Sequence, residues 1–335
     1  MNKRARIADV AALAGVSTAT VSRTLSAPEK VGESTRKKVL DAVKETGYRI
    51  NGAARDLRQK RARSILILAP NLANTFFSRI FAAIQDEAAA AGLTVQISDS
   101  RIGRDKLATL GHDGRADGIM LLDASLDPAL VNGWRLPVAQ LCEWNDLYQA
   151  PGIVIDNPAA VHLAVAHLAG LKHTHLGHVE GPPDNVLAIS RREAFHAASA
   201  ERSIRTSILK GDFTMRSGAD AARRWAELED RPSGVFCASD ECALGFISEC
   251  IRLGFDVPSD VSVVGFDDIE FADRFIPALT TIRQPREAIG REGAELLIGM
   301  LRNDNPQQGS LRKIDADLVV RASSGPAPTA RPDFV

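Results

Sequence analysis

Beyond residue 63 the chain alternates short apolar runs with longer stretches of helical periodicity. Runs such as Ile65–Ala69 and Val261–Phe266 have the length of a strand and lack polar alternation, which is typical of parallel strands buried on both faces. Helical stretches such as Phe76–Ala91 and Arg286–Leu301 lie between such runs. This order predicts an α/β fold with parallel sheets. One modest sheet does not hold so many units, so we expect two lobes with a cleft, dividing near Asn157-Pro158.

The first 26 residues predict two short helices joined by a tight turn. Apolar residues recur at helical spacing over Ile7–Ala14, Gly15 provides a helix stop, and Ser17 suits the N-cap of the next helix. The outer face of that second helix would carry Thr18, Ala19, Ser22 and Arg23. Such a face can approach the DNA major groove closely, and its arginine can bind O6 and N7 of a guanine together. The alternative is an ordinary amphipathic helix pair.

A third helix is predicted with Ser34 as its N-cap and with Val39 and Val43 spaced four residues apart, and Gly47 ends it. Three helices in some fifty residues make a small domain with a thin core. The following stretch, Asn51–Arg63, permits a helix but has too little apolar surface to hold one alone in water. It could become helical on DNA, or it could be a solvated linker.

Charge is distributed unevenly along the 335 residues, although the net charge is only -1. Residues 1–63 contain 15 Lys and Arg against 6 Asp and Glu, which gives +9 and leaves -10 for the remainder. A basic N-terminal part on an acidic body is typical of a nucleic-acid-binding protein with a separate second module.

Other patterns restrict the class of protein. No apolar run approaches the ~20 residues of a membrane span, and the basic N-terminus is not followed by the apolar core of a signal peptide. The four cysteines form no CxxC pair and suit a reducing compartment, so we expect a cytoplasmic protein without a metal site. No Gly-x-Ser-x-Gly elbow or phosphate-binding GxxxxGK[ST] loop is present, so we expect neither an enzyme nor a cofactor.

The opening residues resemble the lactose/galactose repressor (LacI/GalR) family almost residue for residue, and the resemblance continues in order to about Arg321. Val16–Arg23 and Gly211–Thr214 look most like the cytidine-repressor and purine-repressor branch of that family. The stretches that carry the resemblance are Ile7–Ala11, Val16–Arg23, Asn51–Leu57, Asp117–Ile119, Val154–Asn157, Ser239–Gly245, Val263–Asp268 and Leu279–Pro285.

The resemblance implies a bacterial transcription regulator, expected to be a repressor, with a helix-turn-helix head of three helices, a hinge helix and a two-lobed body like a periplasmic binding protein. The implied boundaries are 1–50 for the head, 51–63 for the hinge, 64–325 for the body and 326–335 for the tail. Within the body, one lobe takes about 64–157 and 286–315, and the other takes about 158–285 and 316–325.

The family also implies a homodimer that binds a near-palindromic double-stranded DNA operator. Thr18, Ala19 and Arg23 fall on base-reading positions, and Leu57 falls on the hinge residue that wedges between base pairs from the minor groove. A ligand that changes the angle between the lobes would then shift DNA affinity allosterically. The residues predicted to bind DNA are Ser17, Thr18, Ala19, Thr20, Ser22, Arg23, Asn51, Ala54, Leu57 and Arg58.

Resemblance also places an effector site at the strand ends that face the cleft. Arg191 and Asp267 could hold vicinal hydroxyls together, or they could form a structural salt bridge. Phe76 and Phe213 could stack on a sugar or base, or they could be core residues. Cys142 stands where relatives often carry Asp or Asn. The predicted effector residues are Phe76, Phe77, Asn185, Arg191, Phe213, Ser239, Asp240, Asp267 and Gln284.

Several alternatives remain open at this point. The expected effector is a sugar or sugar derivative, with a nucleoside or purine as the second choice. A solute-binding protein without DNA function would share the two-lobed fold, but the basic N-terminal part argues against it. His178 and Glu180 could form a buried polar pair beside the cleft, whereas metal binding by His173, His175 and His178 is not expected.

Overall fold

The computed structural model describes residues 5–48, 61–303 and 309–328. The chain separates into two compact units, Met1–Ala62 and Arg63–Val335.

In the described part of the N-terminal unit, three α-helices surround a small apolar core. They are α1 (Ile7–Ala14), α2 (Thr18–Ser26) and α3 (Glu33–Thr46), and a 3₁₀ turn spans Pro28–Lys30. The core consists of Val10, Ala11, Val21, Val39 and Ala42.

The ends of these helices follow the local sequence. Gly15 and Gly47 take left-handed backbone angles (φ 64° and 63°) that release the chain from α1 and α3. The Ser17 side chain accepts a hydrogen bond from the backbone N–H of Thr20, as expected for the N-cap of α2. The prediction that Ser34 caps α3 is wrong, because the helix already begins at Glu33 and its N-cap is Gly32.

The second unit has two lobes, each built on a six-stranded sheet. In the first lobe the strand order is β11-β5-β4-β3-β1-β2, and all pairs are parallel. Its strands are β1 (Ser64–Ala69), β2 (Thr94–Asp99), β3 (Gly118–Leu121), β4 (Val138–Leu141), β5 (Gly152–Ile155) and β11 (Leu311–Ile314). Its helices are α4 (Phe77–Ala90), α5 (Arg104–Leu110), α6 (Pro128–Asn132) and α11 (Arg286–Asn303).

In the second lobe the strand order is β12-β10-β9-β8-β6-β7, and β12 is antiparallel to β10. Its strands are β6 (His175–Val179), β7 (Arg205–Leu209), β8 (Gly234–Cys237), β9 (Ser262–Asp267), β10 (Thr280–Arg283) and β12 (Asp317–Val319). Its helices are α7 (Asn157–Gly170), α8 (Val186–Ala200), α9 (Met215–Ala226) and α10 (Asp240–Arg252).

The chain passes between the two sheets three times, after β5, after β10 and after β11. The central strands are buried along their whole length, as in β1, β3 and β9. An α/β fold with parallel sheets in two lobes is thereby confirmed, and the antiparallel edge strand β12 is the one departure from parallel pairing in the described residues. None of the helices described combines the length and the apolar character that crossing a membrane requires.

Helices α9 and α10 pack closely where two glycines face the opposite backbone. A Cβ on Gly245 would overlap the carbonyl oxygen of Met215, and a Cβ on Gly218 would overlap that of Cys242. We expect Gly245→Ala to lower the free energy of unfolding by about 2–3 kcal/mol, because the two backbones must separate. Denaturant unfolding should show this loss, whereas Gly299→Ala in α11, where a Cβ meets nothing within 4 Å, should be neutral or stabilising.

Candidate functional site

A cavity of about 300 Å³ lies between the two lobes. Strands β1, β4, β6, β7, β8, β9 and β10 all end at it, which is the edge where open α/β sheets bind ligands. It is lined by Pro70, Asn71, Asn74, Phe76, Phe77, Arg101, Cys142, Glu143, Pro182, Asn185, Leu187, Arg191, Asp212, Phe213, Thr214, Ser239, Glu241, Asp267 and Gln284.

Arg191, on α8, is the buried cation of this cavity and is 2% exposed. Its Nε donates to Asn157 Oδ1 (2.9 Å) and one terminal nitrogen, Nη1, donates to the carbonyl oxygen of Ala238 (2.6 Å). The guanidinium carbon lies 3.7 Å from the centre of the Phe266 ring, a cation–π contact. Burial lowers the pKa of Arg191 to about 10, so it remains charged at neutral pH. Nη2 has no hydrogen-bond partner among the described residues and is available to a ligand.

Asp267 ends β9 and provides a buried carboxylate at the same cavity. Its Oδ1 accepts from Gln284 Nε2 (2.7 Å), and its Oδ2 accepts no hydrogen bond from the described part of the chain. Burial raises the pKa of Asp267 to about 7, while the charge of Arg191 opposes this rise. Its backbone lies at φ 128°, a conformation that L residues rarely adopt and that occurs most often at functional sites.

Arg191 and Asp267 do not form an ion pair with each other. Every salt bridge among the described residues joins other groups, and no N···O distance between these two side chains is 4.0 Å or less. The structural salt bridge that the sequence left open is therefore absent from this conformation. Arg191, a donor, and Asp267, an acceptor, instead both line the cavity, where a hydroxylated ligand could bind to each of them.

All three predicted aromatic residues line the cavity. Phe213 lies 5.9 Å from the Arg191 guanidinium, and Phe76 packs edge-on against Phe77 at 5.3 Å. Phe77 is shared with the core, because it also stacks on Phe81 at 5.7 Å.

Direct hydrogen bonds cross the cleft. The amide of Asn185, in the second lobe, donates to Glu143 Oε1 of the first lobe (2.7 Å), and Thr75 donates from its backbone and hydroxyl to Glu241 Oε1. The Ser239 hydroxyl donates to the carbonyl oxygen of Phe213 (2.9 Å) and so holds the backbone of this cavity-lining residue in place. Sequence reasoning missed Glu143 and Glu241. Their positions could have indicated both residues, because Glu143 stands two residues after the end of β4 and Glu241 lies in the first turn of α10.

Two predictions about this region need correction. Asp240 was predicted at the effector site, but its carboxylate accepts from the backbone of Ile269 (2.9 Å) and the hydroxyl of Thr281 inside the second lobe and does not line the cavity. The helical turn after Ser239 sends this side chain toward β10 rather than into the cleft.

The proposed pairing of His178 with Glu180 is also wrong. His178 Nδ1 bonds to the carbonyl oxygen of Phe236 (3.0 Å), and its ring stacks against both Phe195 and Phe236. Glu180 instead pairs with Arg192 (3.3 Å). Burial lowers the pKa of His178 to about 3, so the imidazole is a neutral part of the core.

In the N-terminal unit, α2 presents a polar outer face. Thr18, Ala19 and Arg23 are exposed, whereas Val21 and Thr24 are buried against the helical core. Ser17 and Thr20 hydrogen-bond each other at the start of the helix (2.9 Å), and Ser22 is half-buried. Arg23 forms no ion pair with any described residue, so its guanidinium is available to DNA. The predicted hinge contacts Asn51, Ala54, Leu57 and Arg58 lie outside the described residues.

Both units match known families. The model of bacterial regulatory proteins of the lacI family matches residues 6–51, and a periplasmic binding protein-like domain matches residues 165–324. The chain is 35% identical over 333 residues to the HTH-type transcriptional repressor CytR of Escherichia coli strain K12, covering 97% of each chain. It is 32% identical over 329 residues to the repressor PurR of Vibrio vulnificus, covering 95% of this chain and 98% of that protein.

Solved structures agree with the sequence matches. The lac repressor dimer bound to operator and the anti-inducer ONPF superimposes with a TM-score of 0.86 at 28% identity, covering 96% of this chain and all of that one. The complex of the transcriptional regulator CelR with cellobiose gives a TM-score of 0.71 at 27% identity over the same shares. These matches extend over nearly the whole chain, and the chain therefore belongs to the lacI family of bacterial regulatory proteins.

Proposed function

We propose that this protein is a transcriptional repressor that binds a near-palindromic operator as a homodimer and changes its DNA affinity when a small molecule occupies the interlobe cavity. The observation that supports the proposal is that one chain has both a helix face suited to DNA and a cavity suited to a small molecule. The first is the helix face with the exposed Thr18, Ala19 and Arg23, and the second is a cavity where neither Arg191 Nη2 nor Asp267 Oδ2 has a partner among the described residues. Two related repressors and a lac repressor dimer on its operator support the DNA and dimer parts of the proposal.

A polyhydroxylated ring is the ligand class that suits the cavity. Its volume of about 300 Å³ is at the lower end of the range for small-molecule sites, so a monosaccharide-sized or nucleoside-sized ligand suits it better than a long one. Vicinal hydroxyls could donate to Asp267 and accept from Arg191, and Phe213 could cover the ring face. A sugar and a nucleoside share this chemistry, so the proposal includes both ligand classes.

The decisive test combines DNA binding with a ligand panel. We expect the full-length protein to select a two-fold symmetric sequence from a random DNA library and to bind it as a dimer. A panel of sugars, polyols and nucleosides should contain a compound that raises the melting temperature at saturation and changes operator affinity in a fluorescence anisotropy titration. A ligand that stabilises a monomer with no DNA affinity would instead support a solute-binding protein.

Effector binding should depend on pH through Asp267. Burial raises the pKa of this carboxyl to about 7; the charges of Arg191 and Arg286 oppose the rise, and that of Asp240 adds to it. The ionised form only accepts hydrogen bonds, whereas the protonated form carries an O–H donor and no charge. We expect the affinity to fall about tenfold between pH 8 and pH 6 as the group takes up a proton. Calorimetry across this range measures the fall, and in Asp267→Asn the fall should disappear.

The stability of the ligand-free protein should change with pH in the opposite direction to effector affinity, because Asp267 stabilises the fold less as pH rises. The folded pKa lies above the unfolded value of 3.8, so the folded state retains a proton that the unfolded state loses between about pH 4 and 7. The contribution of Asp267 to the free energy of unfolding therefore falls as pH rises through this window.

A further inference from the structure

The cavity wall holds a second buried carboxylate that the effector residues predicted from the sequence do not include. Glu143 follows β4 in the first lobe and is 9% exposed. Its Oε2 accepts from the backbone N–H of Ala124 (2.9 Å) and its Oε1 accepts from Asn185 Nδ2 (2.7 Å). The carboxylate is therefore fixed in place. No Lys or Arg side chain pairs with it in the part of the chain that the structure describes.

Negative charge exceeds positive charge around the cavity. Glu143, Asp267, Glu241 and Asp212 line it, against Arg191 and Arg101. Arg101 is committed to Asp99, to which Nε and Nη2 donate at 3.0 and 2.8 Å. Burial raises the pKa of Glu143, the hydrogen bonds from Ala124 and Asn185 and the charge of Arg191 oppose this rise, and the charge of Asp123 adds to it.

Helix N-termini, which commonly bind phosphate, are partly capped by side chains at this cavity. Helices α4, α8, α9 and α10 begin at the cavity. Asn185, Thr214 and Ser239 cap α8, α9 and α10 by accepting from the N–H groups of Leu187 and Ala188, of Ser217 and of Cys242, respectively, whereas α4 has no side-chain cap. A phosphate in this cavity would sit beside the buried carboxylates Glu143 and Asp267.

We propose that Glu143 selects the effector by charge, so that the cavity takes an unphosphorylated, neutral or cationic sugar or nucleoside with a hydrogen-bond donor directed at Glu143. This proposal rests on the proposed function and narrows its ligand class. Both lobes offer acceptors to such a ligand. In the second lobe, Asp267 Oδ2 accepts no hydrogen bond from the described residues. In the first lobe, each oxygen of Glu143 accepts one hydrogen bond and can accept another. A phosphate monoester instead brings its negative charge next to the buried carboxylates of Glu143 and Asp267.

The test uses matched pairs of probes on the full-length protein. D-Ribose, D-glucose, cytidine and adenosine are each titrated by calorimetry beside their phosphate monoesters. For whichever probe binds, we expect the unphosphorylated member to bind at least about 100-fold more tightly. The identity of the binding pair distinguishes a sugar effector from a nucleoside effector.

Variants of Glu143 then test whether this residue causes the preference for the unphosphorylated probe. We expect E143Q and E143A to reduce the ratio between the two members of the pair by about tenfold or more, since both remove the charge. Two variants are needed because Glu143 accepts two hydrogen bonds, and glutamine can replace only one of them. The matched control is E249Q, whose carboxylate is similarly buried but is bound to Arg223 (2.7 Å) and does not line the cavity. It should leave the ratio unchanged.

The outcomes separate this proposal from the proposed function. If an unphosphorylated probe binds and shifts operator affinity but its phosphate binds equally well, the proposed function stands and the charge selection is wrong. A ratio that neither Glu143 variant changes overturns the role of Glu143. Binding of none of the probes overturns both the effector site and the selection.

Discussion

Replacing Asp267 by asparagine is expected to weaken effector binding by about 2–4 kcal/mol, or roughly 30- to 1,000-fold in Kd. The free Oδ2 of Asp267 is the acceptor that a ligand hydroxyl would reach, and asparagine offers an amide nitrogen or an uncharged oxygen in its place. Operator binding without effector is expected to stay at the wild-type level, because the substitution does not touch α2. Calorimetry measures the first effect and fluorescence anisotropy the second.

Asp240→Asn is the matched control for this prediction. Its carboxylate is as deeply buried as that of Asp267, but it accepts from Ile269 and Thr281 within the lobe and does not line the cavity. We expect a lower melting temperature, because the amide nitrogen of asparagine cannot accept a hydrogen bond and the Thr281 hydroxyl would have to change from donor to acceptor. Effector affinity should be retained. Equal losses of affinity in the two variants would mean that Asp267 acts through the stability of the lobe rather than by contact.

Much of the fold followed from local sequence, because strands and helix ends are determined by residues close together in the chain. The apolar run Val261–Phe266 became the buried β9 (Ser262–Asp267), and Ser17 became the cap of α2. Asp267 could be anticipated at the cavity because it stands at the carboxyl end of a parallel strand, where open α/β sheets bind ligands.

The remaining features depend on directions and distances that local patterns do not contain. Ser239, Asp240 and Glu241 are adjacent, yet only the first and third line the cavity, because Ser239 is the extended N-cap and Asp240 turns toward Ile269 and Thr281 inside the lobe. Glu143 meets Asn185 across 42 positions of sequence and across the cleft, so their hydrogen bond depends on how the two lobes close. Periodicity within one element carries no information on such a contact.

The largest expected effect on DNA binding comes from Arg23→Ala. A bidentate contact from arginine to guanine contributes about 1–3 kcal/mol, and a homodimer makes it in both half-sites, so operator affinity should fall by about 2–6 kcal/mol, or roughly 30- to 10⁴-fold. The variant should fold normally, because Arg23 is exposed and alanine favours a helix. Anisotropy titrations at one fixed salt concentration measure the change against operators varied at each position.

The pattern across operator variants decides what Arg23 contacts. If it reads a base, the substitution removes the preference at one base pair in each half-site and leaves the other positions discriminating as before. Lys37→Ala on α3 is the matched control, since it removes an exposed cation from a different helix and should not relax any single position. An affinity loss that is equal on every sequence, with a shallower dependence on salt, would assign Arg23 to a phosphate, because phosphates are the same at every base pair.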